Sequence, residues 1–104
     1  MSQSVPGARE TTRPRIAPEI TPPVRYRVLM HNDNYTTMEF VVLMLELVFH
    51  KPADEAERIM LQIHTNGTGV CGVYTAEVAE TKIAVVHRHA RDHGFPLLCS
   101  MEPE

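Results

Sequence analysis

At 104 residues, 43% of them hydrophobic, the chain suits one small domain with a modest core. Its net charge of −3, with six histidines counted neutral, argues against the basic face that non-specific nucleic-acid binding requires. Two cysteines without a CxxC pattern, no secretory apolar run near the start and nothing near the roughly 20 apolar residues of a membrane span point to a reduced, cytoplasmic protein with buried thiols.

Five of the eight prolines (Pro6, Pro14, Pro18, Pro22 and Pro23) fall in residues 1–23, among Arg9, Arg13, Arg15, Glu10 and Glu19. Such a segment buries too little apolar surface to offset its ordering entropy, so a disordered extension is expected there, ahead of a core over 24–104. Val24 to His31 then alternates, with Tyr26, Val28 and Met30 on the face of Val24, as a half-buried strand does. Thr36 with Glu39 fits a capping box, which predicts a helix from about Thr37 to about His50. Pro52 opens a second helix with Asp54 and Glu55 in its first turn, an apolar stripe of Ala56, Ile59, Met60 and Ile63, and a stop at Asn66-Gly67.

Val70 to Tyr74 reads as a short strand with Cys71 and Val73 on one face. Thr75 suits the cap of a third helix, whose stripe is Ala79, Ile83, Val86 and Ala90 and which Gly94 ends. Leu97 to Met101 is a last strand, with Leu97, Cys99 and Met101 together. The order β-α-α-β-α-β predicts an α+β fold, a three-stranded antiparallel sheet with three helices packed on one face.

Enzymatic motifs are scarce. There is no GxSxG, P-loop or GxGxxG, and Cys71 and Cys99 sit in apolar strands where a thiol is ordinarily a small core residue. His87, His89 and His93 cluster late in the third helix, but no third ligand accompanies the i, i+4 pair His89 and His93, so no metal or other cofactor is expected.

Two features ask for more than folding. The first helix, MEFVVLMLELVFH, is apolar almost all round, and so is buried on several sides or exposes part of itself in a groove. Asn32-Asp33 lies immediately before it, and His64 lies at the end of the second helix. If those helices pack together, Asp33 and His64 converge at one end of their groove. A carboxylate, an amide oxygen and a neutral imidazole supply three acceptors for an α-ammonium, beside an apolar hole lined by Met38, Val41, Met60, Ile63 and Leu97. The plainer reading stands beside this one: turn bonds for Asn32-Asp33, a helix-end histidine and core methionines.

Four blocks of sequence bear on the choice. Val28-Leu-Met-His-Asn32-Asp33-Asn-Tyr-Thr36-Thr-Met38-Glu39-Phe40-Val41, Met60-Leu-Gln-Ile63-His64, Cys71-Gly-Val-Tyr-Thr75-Ala76-Glu77-Val78-Ala79-Glu80-Thr81-Lys82 and Pro96-Leu97-Leu98-Cys99 closely resemble the signature of the bacterial ClpS adaptor family, over about residues 24 to 103. The resemblance implies a fold similar to the C-terminal domain of ribosomal protein L7/L12. It implies a non-catalytic adaptor that recognises proteins beginning with Leu, Phe, Tyr or Trp (N-degrons) and delivers them to a Clp AAA+ unfoldase, of ClpA or ClpC type, working with ClpP. Separately, no second interface pattern stands out in the sequence, so a monomer is expected. It places α-amino contacts on Asn32, Asp33 and His64, and the side-chain pocket on Thr36, Met38, Val41, Met60, Ile63 and Leu97. It places unfoldase docking on Glu77 and Lys82, away from the pocket. Asn34 departs from the family, where a second acid is common; so does Thr37, where Pro is common, and Ile63, where Val is common.

Overall fold

The alternation after Val24 forms β1 (Arg25–His31), the central strand of the sheet in a computed structural model that describes residues 22–104. β1 pairs antiparallel with β2 (Thr68–Thr75) on one side and with β3 (Leu98–Pro103) on the other, giving the order β2-β1-β3. Between β1 and β2 lie α1 (Met38–Leu47) and α2 (Ala53–Asn66), and α3 (Ala76–Asp92) joins β2 to β3. This is the expected α+β order. The expected disordered extension, residues 1–23, lies outside the described residues apart from Pro22 and Pro23.

Val28 and Met30 of β1, Met44 and Leu45 of α1, Ile63 of α2, Val86 of α3 and Cys71 of β2 are all at most 2% exposed and form one continuous core. Truncating a buried Met, Leu or Ile to Ala in such a core costs about 2–5 kcal/mol. The expected stripe of α2 is buried in full, and that of α3 is buried at Ala79, Val86 and Ala90 with Ile83 half-covered. Both cysteines are free and buried. Burial pushes the Cys99 thiol up to about 12 and that of Cys71 higher still, so neither is a nucleophile at neutral pH.

In α1 and β2 the local structure differs from the sequence reading in three places. First, Thr37 rather than Thr36 is the N-cap of α1, its hydroxyl oxygen accepting from the Phe40 N–H at 3.1 Å. Thr36 is drawn off by Asp33, so the Thr36–Glu39 capping box does not form. Second, α1 ends at Leu47, because the chain must turn before Pro52 and the residue ahead of a proline resists the α conformation. The turn runs through His50 at φ 58°, and the Lys51 N–H reaches back to the Leu45 carbonyl at 3.0 Å. Third, β2 carries a bulge: Val28 pairs with Gly72 but Leu29 with Val70, leaving Cys71 as the extra residue. The bulge reverses the alternation beyond Cys71. Tyr74, not Val73, therefore packs on the core side, where its ring folds over Gly72.

α3 is fastened at both ends. The Cys99 N–H donates to His87 Nε2 at 3.0 Å, tying the helix to β3. Near the other end, Lys82 Nζ donates to the Val48 carbonyl at the end of α1 at 2.7 Å and lies over the rings of Phe49 and Tyr74, 5.9 and 5.3 Å from their centroids.

Candidate functional site

Where β1 ends, the Asn32 N–H donates to the Gly67 carbonyl at 2.8 Å. Gly67 is the left-handed C-cap of α2, φ 90°, and its own N–H returns to the Ile63 carbonyl at 2.9 Å. The loop that leaves β1 is thereby tied to the last turn of α2, which carries Ile63 and His64.

Asp33 organises the rest of this loop. Its Oδ1 accepts from the N–H groups of Tyr35 and Thr36 at 2.8 and 2.7 Å, and its Oδ2 accepts from the Thr36 hydroxyl at 2.8 Å. Partial burial pushes its carboxyl up, but the bonds from Thr36 and Tyr35 outweigh that and hold it below its ordinary value of 3.8. Asp33 is thus ionised at neutral pH. Three acceptor positions of about four are occupied, which leaves room on Oδ2 for one more donor. The turn reading and the binding reading of this residue are therefore compatible.

Asn32, Asp33, Asn34, Thr36, Met38, Val41, Met60, Ile63 and His64 line one cavity of about 240 Å³. Its polar groups come from the loop after β1 and the end of α2, and its apolar wall comes from facing positions of α1 and α2. Asn32 and His64 are exposed, whereas Val41, Met60 and Ile63 are buried. Met38, 42% exposed, stands at the mouth.

Leu97, expected in the wall, does not line this cavity. It is 5% exposed and borders a separate cleft with His87, Phe95 and Pro96. It precedes β3 rather than lying in it, and shares its cleft with Ala90 and Arg91 of α3. Asn34, noted in the sequence only as a departure, is part of the lining. Gly69 of β2 has a place behind the wall that the sequence reading did not assign to it: a Cβ there would lie 2.7 Å from Ile63 Cγ1, so β2 backs directly onto the wall. A glycine inside a strand is the sequence signal of such close approach.

A second, larger cavity of about 520 Å³ runs between α1 and α2 on the far side of Met38 and Met60, which border both. Glu77 and Lys82 border a third depression with Val78 and Thr81. Because Arg25 pairs with Thr75 and His31 with Thr68, the start of α3 and the polar cavity sit at opposite ends of β1. Seven residues of strand span roughly 20 Å. Among the described residues no cluster of metal-binding side chains occurs. His87 is engaged with Cys99, and His93 Nδ1 bonds the His89 carbonyl at 2.9 Å.

The family model described as ATP-dependent Clp protease adaptor protein ClpS matches residues 21–100. The chain belongs to the ClpS family. It is 54% identical over 102 residues to the ATP-dependent Clp protease adapter protein ClpS of Oleidesulfovibrio alaskensis, a match that covers 98% of each chain. It is 62% identical over 80 residues to ClpS of Nitratidesulfovibrio vulgaris strain DP4, covering 77% of each. Among solved structures it is similar to Agrobacterium tumefaciens ClpS2 bound to L-phenylalaninamide, with a TM-score of 0.77 and 37% identity, over 80% of this chain and all of that one. ClpS proteins are adaptors of the Clp protease, not enzymes.

Proposed function

We propose that this chain captures proteins whose first residue is Leu, Phe, Tyr or Trp and delivers them to a Clp AAA+ unfoldase. In this reading Asp33 supplies the countercharge for the free α-ammonium, and Asn32 and His64 accept its other hydrogen bonds. The first side chain enters the apolar wall of Thr36, Met38, Val41, Met60 and Ile63. Catalysis is left to the protease, and the adaptor works as a monomer in the bacterial cytoplasm.

The observation that carries the reading is the shared lining of the 240 Å³ cavity, in which acceptors and an ionised carboxylate meet an apolar wall. An ammonium has three donors and no acceptor, so it suits a rim made of acceptors. Few other ligands need a charged acceptor rim and a side-chain-sized apolar hole together. L-phenylalaninamide, present in the Agrobacterium relative, combines an α-ammonium with an aromatic side chain, and its amide stands where a peptide bond would follow.

Unfoldase docking is assigned to the surface of Glu77 and Lys82. Lys82 has part of its bonding capacity committed to Val48, so Glu77 and the exposed Val78 carry more of that contact. Separation along β1 leaves the substrate cavity open while the start of α3 is engaged. The test is a degradation assay with ClpP and a Clp unfoldase on a fluorescent protein beginning with Phe or Leu. Degradation that needs this adaptor, and fails for the same protein beginning with Ala, is expected. Adaptor-independent degradation of both would overturn the proposal.

A further inference from the structure

His87 accepts from the Cys99 N–H through Nε2, so the proton of the neutral ring sits on Nδ1. Among the described residues that Nδ1–H has no acceptor. Arg91 follows one helical turn later on α3, close enough that its charge helps hold the His87 imidazole below its ordinary value. Arg25, Arg27 and Arg58 are each matched with a glutamate, whereas among the described residues Arg91 forms no ion pair. His87 and Arg91 line one cleft of about 180 Å³, whose apolar wall includes Phe95, Pro96, Leu97 and Leu98. Its polarity is the reverse of the first-residue cavity: donors stand over the apolar wall here, acceptors there.

We infer that this cleft binds a carboxylate carried on an apolar group the size of one side chain, either a free organic acid or the last residue of a polypeptide. The inference stands on the cleft's own residues and makes no use of the proposed capture of a first residue. Residues four apart share one face of a helix, so the guanidinium fork and the imidazole N–H can each take an oxygen of one carboxylate. A phosphate would set a further oxygen against Phe95 or Leu97 with no donor for it. An apolar cavity of about 150 Å³ takes up benzene, so this cleft suits a phenyl or isobutyl group. Leu98, 54% exposed at the start of β3, gains cover from such a group. Because Leu98 pairs with His31, the cleft opens at the same end of β1 as the first-residue cavity, yet the two share no lining residue.

The test is an NMR titration of the full chain at neutral pH with 3-phenylpropanoate and with 3-phenylpropanamide. Neither carries an amine. The Leu97 and Leu98 methyl resonances are expected to shift with the acid, at an affinity about tenfold or more above that of the amide. Arg91→Gln is expected to remove that preference, and Arg88→Gln, one residue outside the lining, to keep it. Both variants should bind L-phenylalaninamide as the native chain does. An acetylated tetrapeptide ending in Phe, with a free or an amidated C-terminus, separates the two sources. A shift with the free-carboxylate peptide assigns the cleft to polypeptide ends, and a shift with the small acid alone assigns it to free acids; either supports the inference.

Equal shifts with acid and amide, a preference that survives Arg91→Gln, or no Leu97 and Leu98 shift with any carboxylate overturns it. Shifts of those methyls that follow protein concentration without ligand would give the cleft to a second copy, which also overturns it.

Discussion

Gly69 lies directly behind Ile63: a Cβ on its backbone would come to 2.7 Å from Ile63 Cγ1. The absence of a side chain in β2 therefore sets how far the wall of the polar cavity can retreat. Gly69→Ala is expected to push Ile63 into that cavity and shorten it. Affinity for peptides beginning with Phe or Trp should fall by about 1–3 kcal/mol, with a smaller loss for Leu. Calorimetric titration with the three peptides checks this, and an equal loss for all three would show that the substitution acts on stability alone.

Asp33 both folds the loop and carries its charge, and two substitutions separate these roles. Asp33→Asn keeps one oxygen to accept from Tyr35 and Thr36 but removes the countercharge. It is expected to cost at least about 2 kcal/mol in peptide affinity with little change in melting temperature. Asp33→Ala removes both, and is expected to lower affinity and melting temperature together.

Met38 guards the mouth of the cavity. A β-branched first residue carries an extra carbon close to its own backbone, where Met38 stands. Met38→Ala is expected to admit peptides beginning with Ile or Val that the native chain rejects. Anisotropy titrations measure it, and unchanged rejection would place the filter elsewhere.

His87 sets a pH window for stability. Burial, and after it the Arg91 charge, hold its imidazole below the ordinary 6.5, and Nε2 must be unprotonated to accept from the Cys99 N–H. A histidine with a lowered folded value binds fewer protons folded than unfolded. Its contribution is therefore complete above pH 6.5 and lost as pH falls from there through the folded value. Thermal melts from pH 8 downward should show the native chain losing stability below about 6.5 relative to His87→Gln, whose amide oxygen still accepts. Parallel curves would contradict this.

Much of this was legible in the sequence, for identifiable reasons. The period of two after Val24 and the stripe Ala56, Ile59, Met60, Ile63 each report burial on one face, and both faces are the buried ones. Asn66-Gly67 marked the stop of α2 because only glycine takes φ 90° without strain. Four matched blocks identified the family, and the structure gathers eight of their nine expected substrate-site residues round one cavity. The misses come from non-local competition. Thr36 and Thr37 are equally good caps by composition, and Asp33 decides between them by occupying the first. The bulge at Cys71 depends on pairing with β1, which no local pattern encodes. Lys82, an expected docking residue, also donates to the Val48 carbonyl at the end of α1, a contact that no local pattern encodes.

In the proposed mode of binding, Asp33, Asn32 and His64 hold a free α-ammonium while the apolar wall takes the first side chain. The most direct measurement compares two peptides of one sequence beginning with Phe, one with a free amine and one acetylated, titrated against the full chain at neutral pH. Acetylation removes the positive charge and leaves one N–H donor, so a loss of at least about 2 kcal/mol is expected. Equal binding of both peptides would contradict the account.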